Sequence, residues 1–388
     1  MSLGRILMLK IKSVCYDSTF QLADLYGKAL EQLGYEVEYF STVEEPITEM
    51  ERYVGQHFDA VIDFNSLLPN LDTDEDTLFL DGIDGPFIDY ILDHPLYHNK
   101  QLKSPLKNFH VICLDYDHEE YIRKYYPHIQ SVSTLPLFAL PVAQADAKRD
   151  IDVLFTGTYT PANDMLHKIN SFDKPFSDEM KMLIDILLEN PSLTQEEAVL
   201  KLAKDLGFDE ASIMMRDRLY TFFLVDMYIK SYYREKLVES VLQDGRTLTV
   251  YGGQWEFYES TNARYLDVHD MIPFYKTPEL MQHANICLNI MPWFKAGIHD
   301  RVFTAMHSGA AMMTDTSRML EEEFVHNQDI LVYDLKHMEQ VPELIAYGLE
   351  DKARLQELAK QGQKKVIERH SLEVRAKQLS DVIQNIEK

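Results

Sequence analysis

Apolar positions in the first 145 residues fall in short runs separated by one-sided amphipathic stretches, the rhythm of buried strands alternating with surface helices. Strands are predicted at 5–9, 37–40, 58–64, 87–92, 109–114 and 132–137. Helices are predicted at 20–34, closing on Gly34, at 44–55 and at 119–126. Such alternation predicts a parallel sheet covered by helices, with ligands outside the carboxyl ends of the strands. Residues 140–150, with Pro141 and small and charged neighbours, read as a linker, and a new strand opens at 152–157. From 165 to 243 the pattern is helical throughout, with a cap signal at Ser192-Leu193-Thr194-Gln195-Glu196-Glu197. The strand and helix rhythm resumes at 247–251 and runs to 332, and helices at 340–349, 352–369 and 372–386 close the chain.

Composition narrows this picture. At 388 residues, 46% of them hydrophobic, the chain suits two domains of moderate size. A formal charge of −25 opposes nucleic-acid backbones and anionic lipid, though not one small anion in a local pocket. Cys15, Cys113 and Cys287 lie far apart without metal-ligand spacing, and the latter two sit in apolar runs, so buried thiols in a reducing compartment are expected. The amino-terminal segment lacks the long apolar core of a signal peptide, and no run approaches the length of a spanning helix. The expectation is a soluble cytoplasmic protein with no transmembrane segment and no nucleic-acid partner.

The densest chemistry lies in 286–315, which reads strand, glycine-bearing loop, short helix, glycine, strand. Polar residues collect where the loop enters the helix, and a helix amino terminus offers free N–H groups and the positive end of its dipole to an anion. His299 and Arg301 read as cationic additions to that pocket, Arg because its planar fork matches phosphate oxygens.

Several segments resemble GT-B glycosyltransferases. Leu30-Glu31-Gln32-Leu33-Gly34-Tyr35-Glu36-Val37 is similar to the leader helix and Gly-x-x-Val strand of that fold. Leu248 to Trp255 and Ile272-Pro273-Phe274-Tyr275 resemble two consecutive donor-side strand ends. Gly297 to Asp315 resembles the donor-phosphate motif of a family-1-like group that includes spore-maturation glycosyltransferases, and Val366 to Leu372 resembles the tail before their last helix. The resemblance implies an α/β GT-B architecture of two Rossmann-like domains with parallel sheets facing a cleft. It implies an acceptor-side domain at 1–145, with the final helix 372–388 packing back on it. It implies a nucleotide-sugar domain at 150–371 carrying a helical insertion at 165–243.

The implied activity is metal-independent transfer of a hexose from a nucleotide-diphosphate sugar, as co-substrate, to a hydroxyl on a glycan, lipid-linked or protein acceptor. The diphosphate would lie at Gly297, His299, Asp300, Arg301, Val302, Phe303 and Thr304, close to Gly157 and Thr158. Tyr251 and Gly252 would lie against the donor, and Pro273 and Tyr275 would receive the base. The sequence departs from the family at Ala296 and Thr304, where many retaining members carry two glutamates, and a threonine offers ribose one hydroxyl instead of a carboxylate. On the acceptor side Asp93 and His94, just past a strand, are candidate bases, with Ser13 and Asn65 as further polar groups. Asp115-Tyr116-Asp117 resembles a metal-binding Asp-x-Asp, but a helix cap at Asp117 accounts for it. No zinc spacing and no phosphate-binding G-x-x-x-x-G-K-[ST] loop occurs. An epimerase of the same fold and a non-catalytic nucleotide-sugar binder are the competing readings.

Overall fold

The computed structural model describes every residue except 1–2, 12–17, 66–67, 74–76, 144–146, 209–214 and 387–388. Ser13 and Cys15 lie outside the described residues. The chain divides into two compact units, one of Met1–Phe138 with Arg369–Lys388 and one of Ala139–Glu368.

In the first unit the elements are β1 (Arg5–Lys10), α1 (Ser18–Leu33), β2 (Glu36–Ser41), β3 (Ala60–Phe64), β4 (Phe87–Tyr90), α2 (Asn99–Leu102), β5 (Phe109–Cys113), α3 (Tyr116–Tyr125), β6 (Ser131–Thr134) and, from the far end of the chain, α14 (Leu372–Ile386). The six strands pair in parallel in the order β2-β1-β3-β4-β5-β6. Three of them are buried along their whole length, as expected of strands covered on both faces. The core gathers on Tyr26 of α1, whose ring meets Phe64, Tyr90 and Phe138 at 5.8, 5.7 and 4.8 Å. Tyr90 sends its hydroxyl to the Leu135 carbonyl at 2.6 Å, so the aromatic cluster has no stranded polar end.

α14 completes this unit by packing on α1, with the Tyr35 and Ser380 hydroxyls 2.8 Å apart. Buried Arg375 reaches the Leu137 and Arg369 carbonyls and the His370 ring, joining the two places where the chain enters and leaves the unit.

The second unit comprises β7 (Ile151–Thr156), α4 (Ala162–Asn170), α5 (Lys174–Glu189), α6 (Gln195–Asp205), α7 (Met215–Thr221), α8 (Phe223–Gln243), β8 (Leu248–Tyr251), β9 (Leu266–His269), α9 (Thr277–Met281), β10 (Ala284–Leu288), α10 (Asp300–His307), β11 (Ala311–Thr314), α11 (Arg318–Glu323), β12 (Leu331–Val332), α12 (Val341–Glu350) and α13 (Lys352–Arg369). Its sheet is also parallel and six-stranded, in the order β12-β11-β10-β7-β8-β9. Both sheets are thus parallel with helical crossovers, the two Rossmann-like sheets that the GT-B resemblance implies.

Some expectations change on inspection. The stretch 44–55 forms only a 3-10 turn at Ile47–Tyr53, entered through Pro46 and left at Gly55, too short to hold a cooperative α-helix. α3 begins three residues earlier than expected because Asp115, not Asp117, is its cap: the Asp115 carboxylate accepts the Asp117 N–H at 2.7 Å. The helical stretch 165–243 is not all elaboration, since α8 is the crossover from β7 to β8 and contributes Leu237, Val238, Val241 and Leu242 to the core. Cys113 and Cys287 are buried in β5 and β10, and burial pushes each thiol up to about 12.

Candidate functional site

The strand order of the second unit reverses between β7 and β10, and in open parallel sheets the crevice at such a switch point is where ligands bind. Three chain segments converge there. Gly157 ends β7 with φ of 150°, a conformation reserved for glycine, and donates its N–H to the Tyr251 carbonyl at 2.9 Å. Its own carbonyl accepts the Trp255 indole N–H at 2.8 Å. Gly252 lies so close that a Cβ there would stand 2.1 Å from the Gly157 oxygen. Buried Trp255 stacks on Tyr159 at 5.2 Å and seals the floor. A Cβ on Gly157 would stand 3.4 Å from Nη2 of Arg301, so the glycine leaves the space beside the guanidinium.

The amino terminus of α10 is built differently from the cationic anion hole that the sequence led us to expect. His299 is its cap, with Nδ1 3.1 Å from the Arg301 N–H and 2.7 Å from the Asp300 carboxylate. Burial lowers the His299 pKa, with Asp300 opposing, so the imidazole is neutral and either accepts the amide proton or donates to Asp300. Asp300 is ionised despite burial, because His299 and Arg301 hold its pKa down. A carboxylate thus already occupies the helix end, and positive charge resides on Arg301 alone among these three.

The remaining residues of the motif build the helix. The Gly297 carbonyl accepts the Ser317 hydroxyl at 2.5 Å, and Val302 and Phe303 are fully buried. Thr304 is 2% exposed and its hydroxyl accepts the Leu140 N–H at 3.1 Å, while Ala296 is buried at 1%. Neither side chain is available to a ribose. Ser317, after β11, caps α11 by accepting the Leu320 N–H at 3.2 Å.

A second arginine joins Arg301. Arg234 of α8 and Arg301 of α10 bring their guanidinium carbons to 5.8 and 5.6 Å from the Phe155 ring centre. Arg234 donates to the Thr158 carbonyl, and its Nε is buried without a partner. Burial, reinforced by the nearby Arg301 charge, pulls its pKa down to about 10, still charged at neutral pH. Arg301 is lowered by burial as well, with Asp300 opposing. Two like charges side by side at a strand end are costly unless an anion joins them, which makes this pair the electrostatic centre of the site. One turn earlier on α8, Lys230 pairs with Asp226 at 2.8 Å and lies 5.0 Å from the Trp293 ring.

Arg301 is oriented by a buried chain of hydrogen bonds. Its Nη1 donates to Asn289 Oδ1 at 2.8 Å, Asn289 Nδ2 donates to the Thr314 hydroxyl at 2.9 Å, and that hydroxyl lies 3.3 Å from Asp315 Oδ1. Tyr333 fixes the same strand end by donating to the Asn289 carbonyl at 2.6 Å. Asp315 Oδ1 accepts the Met291 N–H at 2.8 Å, while Oδ2 is buried without a partner. Burial raises the Asp315 carboxyl to about 7, with the Met291 bond and the Lys295 charge opposing.

A raised carboxyl pKa means that the native state holds its proton more tightly than the unfolded chain, whose aspartates titrate near 3.9. Between those values the unfolded state binds fewer protons, so this residue's contribution to stability falls as pH rises and levels off above about 7. Replacing Asp315 by Asn removes that penalty. The variant's Tm relative to the parent protein is expected to improve between pH 5 and pH 8, by on the order of 2–3 kcal/mol in stability terms. An offset that is the same at both pH values refutes the assignment.

The other candidates are distributed as follows. Tyr251 lies flat on His269, ring centres 4.5 Å apart and planes within 6°. Pro273 heads the 3-10 turn Phe274–Lys276, and Tyr275 on that turn is 57% exposed. In the first unit, Asn65 ends β3 in the left-handed region at φ of 52°, donates to the Asp93 carboxylate at 3.1 Å and accepts the Leu92 N–H at 2.7 Å. His94 caps the following turn by accepting the Leu96 N–H on Nδ1 at 3.1 Å, which places its own proton on Nε2. Its ring meets His118 at 4.5 Å. Among the described residues no group of three or more His, Cys, Asp or Glu has a metal-holding arrangement, and no helix is long and apolar enough to cross a membrane.

A family model described as glycosyl transferase-like matches residues 234–381, from Arg234 into α14. No curated protein sequence matches the chain. Among solved structures, sucrose-phosphate synthase from Thermosynechococcus elongatus is similar over 98% of both chains at 12% identity, with a TM-score of 0.54. HepE from Anabaena in complex with UDP-glucose matches over 98% of this chain and 100% of its own at 10% identity, with a TM-score of 0.56. The T4 phage protein BGT, in complex with UDP and Mn2+, matches over 98% of this chain and 99% of its own at 11% identity, with a TM-score of 0.54. At such identities the likeness is one of fold.

Proposed function

We propose that this protein is a glycosyltransferase that moves a hexose from a nucleotide-diphosphate sugar to a hydroxyl of an acceptor. The observation that carries this reading is the Arg234 and Arg301 pair beside Phe155, at the switch point of a parallel sheet. The glycosyl transferase-like match spans both arginines, and the neighbour HepE holds UDP-glucose on the same fold, which supports the choice of ligand.

When the glycosidic bond to the donor breaks, negative charge builds on the departing diphosphate, and fixed cations in a poorly solvated pocket stabilise that charge without reorganising. Arg301, held by Asn289, and Arg234, held by the Thr158 carbonyl, are positioned for this role. They supply the countercharge that a divalent ion supplies elsewhere, so the transfer is proposed to proceed without a metal. Gly157 leaves the diphosphate room beside the Arg301 guanidinium, Gly252 lets the ends of β7 and β8 close on each other, and Tyr251 and Tyr275 flank the nucleoside. In the first unit Asp93, anchored by Asn65, is the proposed base for the acceptor hydroxyl. His94 is the weaker choice, since its Nδ1 is engaged by Leu96 and its Nε2 carries the proton.

The test is a thermal-shift panel of nucleotides and nucleotide-sugars, followed by product analysis with donor alone and with donor plus acceptor. A ligand of the native state raises Tm by mass action. A nucleoside diphosphate is expected to stabilise the protein, and Arg234→Met to weaken its binding about tenfold, in line with a lost charge-assisted contact. No shift with any nucleotide refutes the proposal, and free nucleotide with an epimerised sugar in the absence of acceptor identifies an epimerase.

A further inference from the structure

The second unit holds another groove, of about 1050 Å3, walled by the loop after β7, the outer face of α8 and the loop between β8 and β9. Neither Arg234 nor Arg301 lines it, and Tyr159, stacked on Trp255, is the residue the two places have in common. The groove's polarity is the reverse of the arginine pair's, with five carboxylates and one ammonium group, Lys236. That charge opposes a phosphate-bearing ligand.

Apart from Pro161 and Ala162, the apolar lining of the groove is aromatic. Tyr228 and Tyr232, four residues apart on α8, stack with ring centres 6.0 Å apart and planes 26° from parallel, and Phe257 on the opposite loop is 61% exposed. The polar groups of the groove are hydroxyls, amides and carboxylates, together with Lys236, whose ammonium lies 5.5 Å from the Tyr232 ring centre. The carboxylates at the floor are already met by neutral donors. Glu235 accepts the Tyr159 hydroxyl and the Ala162 N–H, each at 2.8 Å. Glu239 accepts the Tyr258 hydroxyl at 2.8 Å, the Ser260 hydroxyl at 2.6 Å and the Asn262 amide at 2.9 Å. Burial pulls Glu239 upward, yet these bonds outweigh it and leave the carboxyl below its ordinary value. Hydroxyl and amide donors therefore suffice to keep a carboxylate charged here, with no cation required. At the rim, Glu256 and Glu259 form no ion pair among the described residues and remain open to the same kind of donor.

We propose that this groove binds a neutral oligosaccharide, separate from the donor pocket. A sugar ring presents a C–H face and an edge of hydroxyls, matching exposed Phe257 and the tyrosine pair set among carboxylate and amide acceptors. The volume of about 1050 Å3 lies at the top of the ~300–1,000 Å3 range of small-molecule pockets, which suits more than one linked ring. The groove does not depend on the nucleotide reading of the arginine pair, so either can fail alone.

The test is calorimetric titration with maltotetraose, cellotetraose and chitotetraose, and with hexalysine as the cationic competitor. At least one tetrasaccharide is expected to bind saturably. Tyr228→Ala with Tyr232→Ala should weaken it at least tenfold, Glu259→Gln should weaken it less, and Arg301→Ala should leave it within twofold. Unaltered thermal unfolding of the Glu259→Gln protein guards against misfolding as the cause. The proposal is overturned if no tetrasaccharide binds, if binding survives the tyrosine and glutamate variants, if Arg301→Ala abolishes it, or if hexalysine binds more tightly and is the ligand the tyrosine variant loses.

Discussion

An Arg301→Ala protein is expected to lose about a thousandfold in kcat/KM for sugar transfer while unfolding within a few degrees of the parent. Removing one preorganised donor to a developing anion costs ~10²–10³ in rate, and an arginine serving a transferring phosphoryl group reaches ~10³–10⁵, so the upper end of the first range is reasonable. The loss should fall mainly on kcat, because the charge it meets grows as the bond to the sugar breaks. Arg301→Lys should recover only part of the activity. An ammonium keeps the charge, but it cannot both hold Asn289 and present a planar fork to the diphosphate. The fold should tolerate both changes, since the cap of α10 rests on His299 and Asp300 rather than on the guanidinium. Steady-state kinetics with a turnover-competent donor and acceptor decide the matter, and near-normal turnover in the alanine variant removes Arg301 from the mechanism.

Gly252→Ala is expected to produce the second large effect, and by a different route. The added carbon would stand 2.1 Å from the Gly157 carbonyl oxygen, a backbone atom held by Trp255. No side-chain rotation relieves that contact, so the ends of β7 and β8 must part. Overpacking of this kind costs ~1–3 kcal/mol, which for a unit of this size lowers Tm by roughly 2–12 °C. The displaced Gly157 borders Arg301, so nucleotide affinity should fall together with stability. Gly253→Ala is the internal control, because its added carbon would meet only the Thr158 side chain at 3.8 Å. Equal unfolding temperatures for the two variants would show that the close approach is not rigid.

The alternation of strand and helix was legible from hydrophobic period alone, because parallel strands buried on both faces read as short apolar runs. The stretch 44–55 misled because it has helix-forming composition without the length or tertiary partner that stabilises a helix. In the site, the Gly157 and Gly252 strand ends were readable as glycines after strands. Arg234 was not, since it sits within a helix whose polar residues look like any solvated face, and only packing reveals that it turns toward Phe155. Asn289 carried a faint signal, an amide interrupting the apolar run from Ile286 to Met291, and its partner Thr314 none. The charge on His299 was misread for a physical reason: a sequence gives residue type but not burial, and burial sets the protonation of an imidazole.

The helix that completes the first unit follows the whole of the second along the chain. Tyr35 and Ser380, which meet across α1 and α14, are 345 residues apart, and the entire second unit is translated between them. At a synthesis rate of ~5–20 residues per second, the roughly 230 residues of the second unit alone take about 10–50 s to emerge. Throughout that interval the apolar face of α1 waits without its partner. The first unit therefore gains its closing helix only after the second unit has been made, although its own sheet is translated earlier.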